Sequence, residues 1–224
     1  MRIGGDGDGG YLIPNDLDGI EFCFSPGVSE IAHFEEHLAR DYSVKSFMAD
    51  ASVENPPIKG DFFSFEKKFL GTKNSQDFMR LESWLDAKQD QIGTTDLILQ
   101  MDIEGAEYDV LIDTSSDALR RFRIIVIEFH KLDMIFDRSS LQLLRPIIEK
   151  LTNDFVVAHL HPNNYRPFSS NHSIKIPNVL EVTFLRKDRI HDHAEKDVAL
   201  PHYLDRPNLK EKVDLKMPEI WWNS

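Results

Sequence analysis

The chain lacks several features that would point to other kinds of protein. It holds one cysteine, Cys23, which excludes an intramolecular disulfide. Cys23 stands in the apolar run Phe22-Cys23-Phe24 and reads as a buried, inert thiol rather than a nucleophile. No apolar run approaches the roughly 18–20 residues that a membrane span requires, and the start of the chain has no signal-peptide core. A cytoplasmic protein with no membrane span is therefore expected. Basic residues are in deficit, 26 against 38 acidic ones, and the net charge of −12 argues against a nucleic-acid backbone as partner. There is no repeat and no low-complexity segment, and the strand-to-helix turn at Pro26-Gly27 has no Gly-x-Gly-x-x-Gly. The missing glycines disfavour a dinucleotide, whose pyrophosphate wants closely packed glycines at a helix N-terminus.

What is present is organised around residues 96–111. Leu97-Ile98-Leu99-Gln100-Met101 is a short, nearly continuous apolar run, the mark of a strand buried on both faces of a parallel sheet. Carboxylates follow at Asp102, Glu104, Glu107 and Asp109, with Gly105 as the turn. Ala106, Val110 and Leu111 return at helical spacing, so a helix is expected to start near Gly105. The helix dipole accounts for Glu107 and in part for Glu104, but poorly for Asp102, which directly follows the strand. In an open α/β sheet such a turn lies at the carboxyl edge, where ligands bind.

The 224 residues suffice for one good core. The expectation is a single domain over 1–224, with a glycine-rich N-terminal segment over 1–20 and a polar C-terminal tail over 189–224. The glycines of Gly4-Gly5-Asp6-Gly7-Asp8-Gly9-Gly10 allow close backbone approach to a ligand, and Tyr11-Leu12-Ile13 argues that this segment docks. The abrupt Met1-Arg2 start raises the expectation of a natural chain beginning upstream. A first strand over 21–25, a turn at Pro26-Gly27-Val28-Ser29, a helix over 30–40 and a second strand over 44–48 follow. The helix is expected to be capped by Ser29 and to bury Ile31, Phe34, Leu38 and Ala39. Asp50 comes next. Glycine turn, helix, strand and downstream acid are the parts of a nucleotide-binding βαβ unit, with the acid on ribose hydroxyls. A third strand is expected to end near Phe69-Leu70-Gly71, and an element over 80–86 to pack Trp84 in the core. A crossover helix over 109–121 should lead to a fifth strand over 123–128, then a helix over 141–151 with Leu141, Leu144, Ile148 and Leu151 on one face. Strands over 155–160 and 179–184 have no helix between them and should pair antiparallel. The tail is expected to wrap the domain or reach a neighbouring subunit, which leaves a homo-oligomer open.

Asp102-Ile103-Glu104-Gly105-Ala106-Glu107 after an apolar strand closely resembles the central motif of the FkbM family of S-adenosylmethionine-dependent methyltransferases. Ile127-Glu128-Phe129-His130 resembles that family's next motif, and Asp8-Gly9-Gly10-Tyr11 an element that covers the cofactor in some members. The resemblance runs from about Phe22 to about Arg186. It implies an α/β class I methyltransferase fold: a Rossmann-like, doubly wound, mostly parallel seven-stranded sheet with an antiparallel terminal strand. It also implies O-methylation of a sugar, polysaccharide or natural-product hydroxyl, and an adenine near the segment after the third strand.

Methyl transfer to a hydroxyl needs a bound sulfonium donor, an aligned acceptor and removal of a proton. For the donor the candidates are Gly27, Val28, Ser29, Asp50, Ala51, Asp102 and Glu104. For the chemistry they are Asp102, Glu128 and His130, with His130 the best base by intrinsic pKa. For a small-molecule or glycan acceptor they are His161, Asn163, Asn164 and Tyr11. Asp102 and Glu128 end two successive strands, so a Mg²⁺ ion between them is a further expectation. The competing readings are a metal-dependent hydrolase or phosphatase using Asp102 and Glu104, a nicotinamide oxidoreductase, and a nucleoside-binding protein without chemistry.

Overall fold

A computed structural model of the chain describes residues 1–190 and 199–222. Seven strands form the central sheet: β1 (Phe22–Pro26), β2 (Lys45–Ala49), β3 (Phe63–Glu66), β4 (Leu97–Met101), β5 (Phe122–Phe129), β6 (Phe155–Pro162) and β7 (Leu180–Arg186). Their order across the sheet is β3-β2-β1-β4-β5-β7-β6. All neighbours run parallel except β7, which is antiparallel to both β5 and β6. This is the class I methyltransferase fold. The order reverses between β1 and β4, so a crevice opens outside their carboxyl ends, where α/β sheets take ligands.

Alternation along the strands explains the two-sided burial. Phe22, Phe24, Leu97, Leu99, Met101, Ile125 and Ile127 point into one core. Cys23, Ile98, Ile124 and Val126 point into the other. The first core is covered by α2 (Leu81–Ile92), α3 (Glu107–Asp113), α4 (Ser116–Leu119) and α5 (Arg138–Asp154), which pack Trp84, Leu85, Val110, Leu111, Leu119, Leu144, Ile147 and Leu151. The second is covered by α1 (His33–Tyr42) and the N-terminal segment, through Phe34, Leu38, Ile3, Tyr11 and Ile13. Cys23 is fully buried there, and Trp84 is a core residue whose indole N–H donates to Glu66 Oε1 at 3.1 Å.

Four local expectations are corrected. Ser29 does not cap α1: it takes a positive φ of 46° and its N–H donates to Asp50 Oδ2 at 2.8 Å, so the helix starts later, after Ala32. Ile31 is consequently exposed. The third strand ends at Glu66 because Lys68 N–H turns back onto Glu66 O at 2.8 Å. Phe69–Leu70 pairs instead with Phe78–Met79. The crossover after β4 is two short helices rather than one. On α5 the buried stripe is Leu144, Ile147 and Leu151, and Leu141 and Ile148 face solvent.

The described part of the tail, 199–222, wraps the far edge of the sheet. Asp205 meets His159 at 2.8 Å, and Asn208 Nδ2 donates to Glu181 Oε1 at 2.5 Å. Asn164 holds the tail backbone at both ends of its amide: Nδ2 donates to Leu209 O at 2.9 Å, and Leu209 N–H donates to Oδ1 at 2.8 Å. His161 lies buried between Glu181 Oε2 at 3.1 Å and Asp214 Oδ1 at 3.3 Å. His161 and Asn164 are therefore fasteners of the tail, not groups free to bind an acceptor. Among the described residues no helix is long and apolar enough to cross a membrane.

Burial pulls the His161 pKa down, but Glu181 and Asp214 outweigh it and lift it from 6.5 to about 10. A folded-state pKa above the unfolded value stabilises the fold below the unfolded pKa, and that contribution is lost as pH rises through the folded one. Urea midpoints should therefore fall between about pH 6.5 and about pH 10. The variant His161→Gln should start lower and show a flatter profile over that window. Parallel profiles for the two proteins would remove His161 from the linkage.

Candidate active site

The acidic turn after β4 is held from beneath. Glu104 (φ 58°) and Gly105 (φ 107°) are both left-handed, a conformation glycine adopts freely and glutamate does not. Glu107 stabilises it. Its fully buried carboxylate accepts hydrogen bonds through Oε1 from Ile103 N–H and Gly105 N–H, both at 3.1 Å. The same oxygen accepts from His130 Nδ1 at 3.0 Å. His130 Nδ1 also faces Glu128 O at 3.1 Å, so both its neighbours are acceptors and this nitrogen carries the proton. Nε2 is left facing Glu104 Oε2 at 3.4 Å and Asp102 Oδ1 at 3.8 Å. Tyr108 fixes the same residue by donating to His130 O at 2.8 Å.

Strand register brings the acids together. Met101 pairs with Ile127 and Glu128 pairs with Glu181, so Asp102, Glu128 and Glu181 stand in a row across β4, β5 and β7. Asn163 Nδ2 donates to Glu128 Oε1 at 2.7 Å. Asp102 Oδ1 and Glu128 Oε2 are buried with no hydrogen-bond partner among the described residues. Burial pushes the Asp102 carboxyl up to about 7, with Glu104 and Asp8 adding to the rise and His130 opposing it. Burial, Asp102 and Glu181 push Glu128 well above the carboxylate range. Burial lowers the His130 pKa, but Glu107, Asp102 and Glu104 together leave it raised.

Two cavities meet over this cluster. One, of about 430 Å³, is lined by Gly27, Val28, Ser29, Asp50, Ser52, Phe69, Leu70 and Phe78. The other, of about 520 Å³, is lined by Glu128, His130, Asn163, Lys131, Tyr165 and Arg166. Asp8, Asp102 and Glu104 line both. Of the residues expected to hold the donor, Gly27, Val28, Ser29, Asp50, Asp102 and Glu104 share the first cavity, and Ala51 does not reach it. Tyr11 lines this first cavity rather than the acceptor side, where it had been expected, because its ring is buried against Phe34 and its hydroxyl accepts from Gln100 at 3.4 Å. Asn163 is the one expected acceptor residue in the second cavity, and it also orients Glu128. Ion-ligand geometry differs from expectation too. Asp102, Glu104 and His130 offer ligand atoms within 4.8 Å of one another, and Glu128 is outside that group.

Gly27 is glycine for packing as much as for ligand access. With φ 89°, a Cβ there would lie 1.5 Å from Asp102 O, so the β1 turn rests directly on the end of β4. Asp50 braces the same turn, accepting from Ser29 N–H at 2.8 Å and Ser52 N–H at 2.7 Å. Each of its oxygens keeps a second lone pair for a ligand hydroxyl.

Charge discriminates between ligands for the first cavity. Its lining includes Asp8, Glu35, Asp50, Asp102 and Glu104, and neither lysine nor arginine. That repels a phosphate and suits a cation. A sulfonium carrying an ammonium group fits, with the apolar wall of Phe69, Leu70 and Phe78 beside Asp50 to receive a purine.

The strand order and this pair of cavities define a class I methyltransferase. The chain belongs to the FkbM methyltransferase family, whose model, Methyltransferase FkbM domain, matches residues 29–166. The family implies S-adenosylmethionine as methyl donor. No curated protein matches the sequence. Similar solved structures include a fibrillarin/Nop5p complex, at 11% identity over 76% of this chain and 74% of that one, TM-score 0.44. A human methyltransferase 10 domain containing protein follows at 9% identity over 78% and 76%, TM-score 0.37. A precorrin-6y C5,15-methyltransferase from Geobacter metallireducens stands at 12% over 82% and 96%, TM-score 0.35.

Replacing Asp50 tests the donor cavity. Asp50→Ala should weaken S-adenosylmethionine binding by about 1–3 kcal/mol, typical of hydrogen bonds to a charged group. Calorimetry on protein with unchanged circular dichroism measures it, and undiminished affinity would exclude Asp50 from the site.

Proposed function

We propose that the protein methylates a hydroxyl oxygen of a sugar or other polyhydroxylated small molecule or glycan, with His130 as the general base. The observation that carries this reading is His130 itself. Its Nδ1 is fixed on the buried carboxylate of Glu107, and its Nε2 faces the point where the two cavities join.

When bound, S-adenosylmethionine supplies a methyl group from a positively charged sulfur, which leaves as a neutral thioether. The chain's own residues do the rest. Asp50 holds ribose hydroxyls, and the Gly27–Ser29 turn receives the amino-acid end. Asp102, at the junction, places its unpartnered Oδ1 where a cation enters and an acceptor hydroxyl arrives. Asn163 and Glu128 orient that hydroxyl. His130 Nε2 takes its proton as the new O–C bond forms, and Glu107 stabilises the resulting imidazolium. In the ligand-free protein the surrounding carboxylates favour protonated His130. A cation in the adjoining cavity opposes them and frees Nε2 for base work.

One observation favours a second reading. The grouping of Asp102, Glu104 and His130 would also accept a divalent ion, with Nε2 as ligand instead of base. Imidazole is a poor partner for Mg²⁺, which prefers oxygen. Turnover after exhaustive EDTA treatment separates the readings. We expect it to persist; loss restored by Mg²⁺ or Mn²⁺ would transfer Nε2 to the ion.

His130→Gln should lower kcat by roughly 10²–10⁴, the usual worth of a general base, without raising the KM for the donor. Glu107→Gln should lower kcat less and abolish the downfield Nδ1 proton resonance of His130. Retention of that resonance would place the proton on another partner.

A further inference from the structure

The acceptor-side cavity changes sign along its depth. Its inner end is acidic and buried: Glu128 and Asn163 are 3% and 8% exposed, and Asp102 stands beside them. Its mouth carries Lys131 and Arg166, both exposed. These are the lysine and arginine residues among those lining the two cavities, and the donor cavity has none. Among the described residues neither makes an ion pair. The cations that brace the fold behave differently. Arg80, Arg123, Arg186 and Arg189 are each locked onto aspartates. In a chain with twelve excess negative charges, Lys131 and Arg166 put two cations without an ion pair on one cavity.

Their placement makes them poor counter-ions for the buried acids. Lys131 lies across Gly105, its Nζ 3.5 Å from where a Cβ there would stand, at the solvent-facing lip of the turn. The Arg166 guanidinium sits 5.8 Å from the Tyr165 ring centre. Charges held in water act weakly on groups beneath the surface. An anion that arrives beside them can meet them directly, and a guanidinium fork matches a carboxylate or phosphate in two hydrogen bonds. Tyr165, next in sequence to Arg166 and 57% exposed, has Lys212 Nζ 5.2 Å from its ring centre as well, which adds a third cation beside this mouth.

We infer that the acceptor is a hydroxylated ring bearing an anionic group, a carboxylate or a phosphate, which Lys131 and Arg166 hold at the cavity mouth while the hydroxyl to be methylated reaches Asp102, Glu128 and His130. The inference rests on the methyltransferase reading above. It also orients the acceptor. The acidic floor repels the anion, so the methylated hydroxyl is one remote from the charged substituent.

The test uses the full chain saturated with S-adenosylhomocysteine, so that no turnover occurs. Binding of D-glucose, D-glucuronate and α-D-glucose 1-phosphate is measured by calorimetry or ligand-observed NMR. At least one anionic sugar should bind ten-fold or more tightly than glucose, and the tighter of the two identifies the anionic group. The double variant Lys131→Gln/Arg166→Gln should erase that preference while keeping its affinity for S-adenosylhomocysteine. Equal binding of all three sugars, binding of none, or a preference that survives in the double variant would each overturn the inference. Failure of S-adenosylhomocysteine itself to bind would instead overturn the methyltransferase reading, and the inference with it.

Discussion

The buried carboxylate of Glu107 is the interaction on which the rest of the site depends. One oxygen gathers two backbone N–H groups of a doubly left-handed turn and the imidazole of the next strand's end. Without it, Ile103 and Gly105 would leave donors unpaired at the edge of the core, and an unpaired buried donor costs about 1–3 kcal/mol. The turn sets the direction of Asp102 and Glu104. The imidazole sets where a proton can go. A single ionisable group thus couples the backbone of β4's exit to the side chain at β5's exit. Gly27 completes the arrangement from the other side, since only a residue without Cβ lets the β1 turn rest on Asp102 O. Three strand ends are fixed relative to one another by two contacts.

Much of the fold was legible because it follows from burial. Strands that are nearly continuous apolar runs belong inside a sheet covered on both faces, and Leu97–Met101 and Phe122–Phe129 are buried along their whole length. Asp102, Glu128 and His130 were legible as strand-end polar residues. Glu107 was misread as a dipole partner, although a signal was present: it shares a helix face with Val110 and Leu111, three and four residues on. A carboxylate on the apolar face of a helix is there to be hydrogen-bonded, not solvated. The distinction between Asn163 and its neighbours His161 and Asn164 was not legible. All three are polar residues at a strand end, and what separates them is contact with a tail 45 to 53 residues further on. Ser29 failed for a related reason. As an N-cap its side chain would serve the helix, but its backbone N–H is claimed by Asp50, and tertiary contact overrides local capping preference.

The row Asp102, Glu128, Glu181 and His161 crosses four adjacent strand ends, and its two halves are compensated differently. At the tail end, His161 and Asn208 satisfy Glu181 permanently, and burial there makes structure. At the other end, Asp102 and Glu128 each keep one oxygen without a partner. Burying such groups opposes folding, because their raised pKa values mean that ionisation is resisted in the native state. A chain that folds despite this carries an electrostatic deficit aimed at two cavities at once. A cation entering the donor cavity relieves it, and so does a hydroxyl proton moving to His130. The deficit is therefore largest in the empty site and smallest once a positively charged donor is in place. On the function proposed above, preference for a sulfonium in the donor cavity and release of His130 for base work would both draw on these unpartnered oxygens. The tail bounds that deficit by satisfying Glu181 Oε1 through Asn208, while His161 of β6 pairs with Oε2. Within the row, the buried oxygens left without a partner are those of Asp102 and Glu128, in the cavity that His130 also lines.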